Sequence, residues 1–445
     1  TAGKTVNFKG AGSAKINGVV RQGRATEQIA KGNFIESSIQ RTRLNGGGNS
    51  ICNGCCSIVW LTESTFIALW NPTLNSNGTL RATGGRYTSE NGIELGTHYL
   101  VTTSYISTRF ASYIFRLSDT SAMASSTRGE IDGNIWSWTI ELNPNDLSLT
   151  IGTSRSERAG VSHASFYMAQ FPDDPYKFVI AYQDANSPYD DNCDFVKAVT
   201  NSYWSMFNSI TGSYFSKFSI NKFIAPMTIT PYKYLYLSNH NADGCGHWIS
   251  LENETASNPS GGEAPKTSNP FGENDSVCFE LLNDKYMISW AFQKNIIYLY
   301  DGKADNIVDE FRFPDNYSIK AVRQIVDGAV IIAITLSTSE RYDETYIVTL
   351  NSEKLRVDRQ EWNGDVVYVS PSTTGHEMMG ISIRPNHPNQ AIQIAAFYGN
   401  GIAQSSNDLS VVEVSAAIKN ATASPFSGIA KSNANQNETC DFYTL

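Results

Sequence analysis

The cysteines Cys52-Asn53-Gly54-Cys55-Cys56 are the first residues whose type and spacing could do chemistry. Two thiolates at a C-x₂-C spacing can hold zinc, and Cys245-Gly246-His247 with His240 could supply further ligands. The competing use is disulfide bonding, which clustered cysteines favour in an oxidising compartment. The candidates are Cys52, Cys55, Cys56, Cys193, Cys245, Cys278 and Cys440. Seven is odd, so one thiol is expected to be free or to join another chain; Cys440 near the end and Cys52 beside a glycine tract are the expected ones.

Carboxylates form the second constellation. Asp184, Asp190, Asp191 and Asp194 crowd into the run 183–194, and hard oxygen ligands in a loop suit Ca²⁺. The spacing is not that of an EF-hand, and a solvated acidic loop is the plainer reading. Two more polar runs, one with His240, Asn241, Asp243 and His247 and one with Glu340, Asp343 and Glu344, could share a face with it. A glycosidase needs two such carboxylates across the scissile bond, but sequence alone does not choose the pair. His376-Glu377-Met378-Met379-Gly380 lacks the second histidine of a zinc protease, and neither Gly-x-Ser-x-Gly nor a phosphate loop is present. Gly10-Ala11-Gly12 begins like a dinucleotide fingerprint without its third glycine. No catalytic residue is nominated. Tyr203, Trp204, Trp248, Trp290, Tyr298 and Tyr300 could stack on sugars, although strand aromatics more often fill a core.

Composition sets the setting. Charged residues are 17% of the chain, below the roughly 25% of ordinary soluble domains. The net charge of −9 divides into a basic stretch over residues 1–45 and an acidic remainder, an arrangement suited to docking on its own body or a neighbour's. A body that acidic argues against nucleic acid, and no apolar run approaches membrane-spanning length. Asn77, Asn253, Asn274, Asn316, Asn420 and Asn437 each begin an Asn-x-Ser/Thr triplet. With the cysteines they point to a secreted, extracellular glycoprotein whose targeting segment has been removed.

These residues must be carried by short strands. Val277 to Leu281, the turn pair Asn283-Asp284, and Tyr286 to Trp290 make one hairpin phrase, with Ile296 to Tyr300 as a third strand. Similar phrases are expected at 56–70, 92–105, 165–182, 223–238, 319–336 and 380–397, at intervals of about 50 residues. The pattern resembles β-propeller repeat proteins in general, without the Gly-His…Trp-Asp pairs of any named group; Thr83-Gly84-Gly85-Arg86-Tyr87 is similar to a kelch repeat in a single copy. The resemblance implies an all-β fold, seven blades of about four antiparallel strands, with two β-sandwich domains as the alternative. Residues 1–48 read as a basic, Gly-rich arm whose Phe34 to Thr42 closes the ring, 49–419 as the propeller, and 420–445 as an extended polar tail. The expected function is that of a structural or adhesive subunit of an extracellular assembly, self-associating or binding other extracellular proteins or glycans. The alternative is a carbohydrate-binding or carbohydrate-active propeller, glycosidase- or lyase-like, using its acidic loops.

Overall fold

A computed structural model describes residues 5–8, 12–15, 20–44, 57–70, 78–106, 112–128, 134–158, 167–171, 174–183, 191–200, 203–212, 234–237, 246–250, 266–267, 277–291, 294–301, 304, 306–336, 343–360, 380–396, 407–422 and 427–444. Every regular element among them is a β-strand. Two compact units result: Thr1–Thr42 with Glu413–Leu445, and Arg43–Val412. The first begins with a hairpin, β1 (Thr5–Phe8) and β2 (Gly12–Lys15), followed by β3 (Val20–Ala25) and β4 (Phe34–Arg43).

The larger unit is a succession of antiparallel meanders. The first holds β5 (Ser57–Trp60), β6 (Thr65–Trp70), β7 (Gly78–Thr88) and β8 (Gly92–Ile106). It is joined through the single pair Arg128↔Ile106 to β9 (Tyr113–Arg116), β10 (Ser121–Arg128), β11 (Asn134–Leu142), β12 (Leu149–Ile151) and β13 (Arg155–Arg158). Next come β14 (Tyr167–Phe171), β15 (Asp174–Gln183), β16 (Asp191–Thr200) and β17 (Tyr203–Gly212). A three-stranded sheet follows, of β18 (Tyr234–Leu237), β19 (Gly246–Ser250) and β20 (Lys266–Thr267). Two four-stranded sheets come after it: β21 (Val277–Leu281), β22 (Tyr286–Ala291), β23 (Ile296–Asp301) and β24 (Asn306–Arg312), then β25 (Tyr317–Val326), β26 (Ala329–Leu336), β27 (Asp343–Asn351) and β28 (Lys354–Arg359). Last are β29 (Gly380–Ile383), β30 (Gln390–Ala396) and β31 (Asn407–Asn420).

Local chemistry explains the reversals. Asn283 Oδ1 accepts from the N–H groups of Lys285 (2.9 Å) and Tyr286 (2.8 Å), an Asx turn that sets the β21–β22 register at Leu281↔Met287. The hairpins expected at 56–70, 277–290, 319–336 and 380–397 form with nearly the expected limits. The one expected at 92–105 does not: Gly92–Ile106 is a single long strand pairing with β7. Gly96 there is no turn residue. A Cβ on it would lie 2.5 Å from Leu147 O, so glycine is required by close approach of the 142–149 turn. The expected strand Phe223 to Thr230 lies outside the described residues.

Where side chains are described, neighbouring sheets cover one another with apolar residues. Leu69, Leu80 and Ala82 of the first sheet meet Ile114, Trp138 and Ile140 of the second in one core. Ile288, Trp290, Ile297 and Leu299 meet Ile319, Val330, Ile332 and Val348 in another. A third core joins the first sheet to the last: Ile58, Trp60, Phe66, Ala68 and Tyr87 pack with Ile392, Leu409 and Val411. Trp60 N–H donates to Ser382 Oγ (3.0 Å) and Arg384 Nε to Glu63 O (2.7 Å) across the same seam. The Arg384 guanidinium lies 4.9 Å from the Tyr87 ring centre and 5.7 Å from that of Trp60. Sequence-distant ends thus cover each other's apolar faces, which two separate sandwiches do not do.

The smaller unit closes differently. With β32 (Gly428–Ala430) and β33 (Thr439–Thr444), the pairings run β31 to β3 in parallel, then β3 to β33, β33 to β32, β32 to β4 and β4 back to β31, all antiparallel. The circuit leaves no free edge among these five strands. Ala25, Ile29, Ile35, Ile418, Ala430, Ala434, Cys440 and Phe442 fill it. Ile29 and Ala434 exchange both backbone bonds (2.8 and 3.0 Å). Residues 428–430 and 439–444 are therefore strands, where an extended tail was expected; alternate positions Cys440 and Phe442 are apolar and turn inward. Phe34–Arg43 is a strand as expected, but it does not close the ring of the larger unit: it pairs within the smaller one, with β32 and with β31 from Ile35↔Asn420 to Arg41↔Val414.

Leu409 has no exposed surface at the seam, and cutting it to Ala leaves a void between sheets. The Leu409→Ala variant is expected to lose about 2–5 kcal/mol in urea unfolding. A loss under about 0.5 kcal/mol places Leu409 outside a packed core.

Candidate functional site

In five of the sheets the first strand is the one that lies beside the first strand of a neighbouring sheet. β9 lies beside β5, β5 beside β29, β29 beside β25 and β25 beside β21. A chain of neighbouring first strands from successive sheets is what surrounds an axis. Tyr113 on β9 and Arg323 on β25 belong to non-adjacent sheets, yet the Arg323 charge acts on the Tyr113 phenol and partly opposes the effect of its burial. The fold of residues 43–412 is a β-propeller.

On the first strands, Glu280 of β21 meets Gln324 of β25 beside Arg323, whose charge also acts on Tyr113 of β9. Glu280 is one residue from the end of β21 and 9% exposed. Its Oε1 accepts from Gln324 N–H at 2.8 Å, and Gln324 Nε2 donates to Leu282 O at 3.3 Å. Arg323 is half-buried and gives one Nη1 bond to Val322 O (2.8 Å). The register of β25 against β26 shifts on both sides of it, between Ile319 and Ala321 and between Gln324 and Val326. Paired irregularities of this kind bend a strand and re-aim the side chain between them. Tyr113 stacks on Phe115 (ring centres 6.2 Å, planes 4° apart), which in turn packs against Phe178 at 5.6 Å.

Burial pushes the Glu280 carboxyl above the usual carboxylate range; the Arg323 charge and the Gln324 N–H only partly oppose it. Burial also pushes the Tyr113 phenol up, again against Arg323. Shifts of both groups by burial around one cation, at the end of inner strands, make this the best candidate site among the described residues.

The residues singled out in the sequence are distributed elsewhere. Cys440 is a free thiol with no exposed surface, so it is not poised to bridge chains; its Sγ donates to Ser432 O (3.4 Å) inside the terminal unit. Cys193 and Cys278 sit on β16 and β21, while Cys52, Cys55, Cys56 and Cys245 fall outside the described residues. Asp191 and Asp194, expected in a loop, belong to the backbone of β16; Asp184 and Asp190 are outside. No group of three metal-ligating side chains occurs among the described residues. Glu344 on β27 accepts from Tyr346 Oη (2.6 Å) and Arg359 Nη2 (2.6 Å). Trp290, Tyr298 and Tyr300 are buried and serve the core. Asn316 and Asn437 are exposed, the latter at φ 70°; Asn420 donates to Glu27 Oε1 (2.9 Å) and accepts from Asn33 Nδ2 (2.7 Å). Asn77, Asn253 and Asn274 lie outside. Glu280, Arg323 and Tyr113 were missed by sequence reading; only Glu280 gave a signal, as the single acidic side chain in the otherwise apolar strand Val277–Leu281.

No protein-family model matches this chain, and no curated protein matches it. Solved structures similar to it include Chaetomium thermophilum Sqt1 bound to the N-terminus of the ribosomal protein L10, at 10% identity over 78% of this chain and 84% of that one, TM-score 0.45. Others are the Pseudomonas aeruginosa periplasmic gluconolactonase PpgL, at 11% over 78% and 96%, TM-score 0.47, and the Myceliophteria thermophila Swd1 β-propeller domain, at 11% over 85% and 100%, TM-score 0.47.

Because the folded state holds a proton on Glu280 to higher pH than the unfolded chain does, its contribution falls as pH rises above the ordinary carboxylate range. Glu280→Gln keeps an oxygen for Gln324 N–H and has no charge to bury. The variant is expected to gain stability relative to the parent between pH 4 and pH 8 in thermal unfolding. A difference that stays constant with pH contradicts a buried titrating carboxyl. Native protein is further expected to leave Cys440 unalkylated by iodoacetamide until urea opens the terminal unit.

Proposed function

We propose that this chain is a secreted, glycosylated, seven-bladed β-propeller serving as a structural or adhesive subunit of an extracellular assembly. The count of seven is supported by dividing the first nine strands of the large unit at the single pair Arg128↔Ile106. Both chain ends are built into a second closed core of their own, which removes the free arm and tail expected to dock on a neighbour; the observation that carries the reading is the exposure of the sequon residues Asn316 and Asn437. A propeller supplies a rigid platform, and a separately packed terminal module supplies a second surface for a neighbouring copy or another extracellular protein.

Cysteine arithmetic supports an oxidising setting. With Cys440 enclosed as a free thiol, the other six are an even number that can pair within the chain. Assembly then rests on noncovalent contacts, since Cys440, expected to be free or to join another chain, is enclosed. The surface carries suitable modification points: Asn316 is exposed beside the turn closed by Tyr317 N–H to Pro314 O (3.0 Å), and Asn437 is exposed at a turn. Asn420 has its amide committed on both sides.

Intact-glycopeptide mass spectrometry of protein from its native source tests this. Glycans are expected on Asn316 and Asn437, with Asn420 bare, and sedimentation is expected to show species larger than the monomer. Unmodified sequons throughout, together with a monomer at every concentration, overturn the reading.

A further inference from the structure

The outer face of the smaller unit carries a row of side chains that its own core does not use. Cys440 and Phe442 of β33 turn inward, so Asp441 and Tyr443 turn outward. Strand pairing continues the row: Val20 of β3 lies opposite Tyr443, Tyr443 opposite Ile429 of β32, and Ile429 opposite Phe34 of β4. Directly paired residues share a face, with Cβ atoms about 4.5–5.5 Å apart. Two aromatic and two aliphatic side chains therefore stand side by side across four strands. Val20 is 41% exposed, Tyr443 and Phe34 are half-buried, and Ile429 lies covered between them. A polar row runs beside it, two residues along the strands. Gln22 Nε2 donates to Asp441 Oδ1 (2.9 Å), and Lys431, whose N–H donates to Asp441 O (2.7 Å), holds its Nζ 3.7 Å from Asp441 Oδ2.

The two rows are self-complementary. A two-fold axis laid along the strands, between β33 and β32, sets Tyr443 on Ile429 of a second copy and Val20 on Phe34 of that copy, a large side chain against a smaller one each time. The same operation sets Asp441 on Lys431 of the second copy, and Lys431 on Asp441 of that copy. A row of mixed sign fits a like row better than it fits a partner of one sign. We propose that two copies of the chain join here, sheet face to sheet face, through an isologous contact centred on Tyr443 and Ile429. The inference rests on the assembly reading above and gives it a contact surface.

Sedimentation velocity of the full chain over a concentration series tests it. The parent is expected to form dimers. Val20→Lys, at an exposed position, and Tyr443→Lys are each expected to raise the dissociation constant at least tenfold. Asp441→Lys and Lys431→Asp chains are each expected to dimerise more weakly alone and to form mixed dimers when combined, because opposite charges then face each other at both places. Dimers unweakened by Val20→Lys and Tyr443→Lys, or reversed-charge chains that combine at random, overturn this contact and leave the assembly reading standing. A parent that stays monomeric at every concentration overturns the contact, and together with bare sequons it overturns that reading as well.

Discussion

The face that Trp60, Phe66 and Tyr87 present to Ile392, Leu409 and Val411 is the contact on which the large unit depends. A four-stranded antiparallel sheet apolar on both faces cannot stand alone in water, and in a linear stack the first and last sheets would each leave one face bare. Joining residues near 60 to residues near 400 removes both bare faces at once. Each fully buried aliphatic or aromatic side chain there is worth roughly 1.5–3 kcal/mol, so the seam outweighs any single surface ion pair, whose value is about 0–1 kcal/mol. The polar bonds across it, Trp60 to Ser382 and Arg384 to Glu63, add register to an attraction that is otherwise non-directional. At the rim, Asn386 donates to Glu63 Oε1 (2.7 Å), and this bond holds the Glu63 carboxyl below its usual range despite some desolvation.

Closure has a chemical consequence. Neighbouring first strands bring residues from distant parts of the chain within reach of one another's charge. Glu280, Arg323 and Tyr113 come from three different sheets. Their burial makes charge expensive, which raises the carboxyl and the phenol and leaves the guanidinium as the fixed charge of the site. The terminal unit solves its own edge problem by a smaller circuit, in which strands from the two chain ends pair directly, as in Val20↔Tyr443 and Arg24↔Thr439.

Much of the architecture was legible because it is local. The Asn283 turn, the uniformly apolar runs at 286–291 and 329–336, and the spacing of hairpins are written in adjacent residues. What was not legible depends on distant packing. Gly96 reads as a turn until Leu147 is seen against it. The end of the chain reads as polar and extended, because a strand as short as Gly428–Ala430 has almost no pattern of its own and is defined by partners more than 380 positions away. The candidate site was the least readable part: Arg323 follows Val322 in an ordinary alternating strand, and only the register shifts and the opposing strands give it a role. The cysteine count was readable and Cys440 was one of two thiols expected to stand apart; that it does so by turning into a core was not readable.

The seam is tested most directly by hydrogen–deuterium exchange on the Phe66→Ala chain. Phe66 lies in the first sheet, and mutual covering predicts that amide protection falls together in residues 57–70 and in residues 390–396, more than three hundred positions along the chain. Loss of protection confined to the first sheet, with 390–396 exchanging as in the parent, would contradict the closed arrangement.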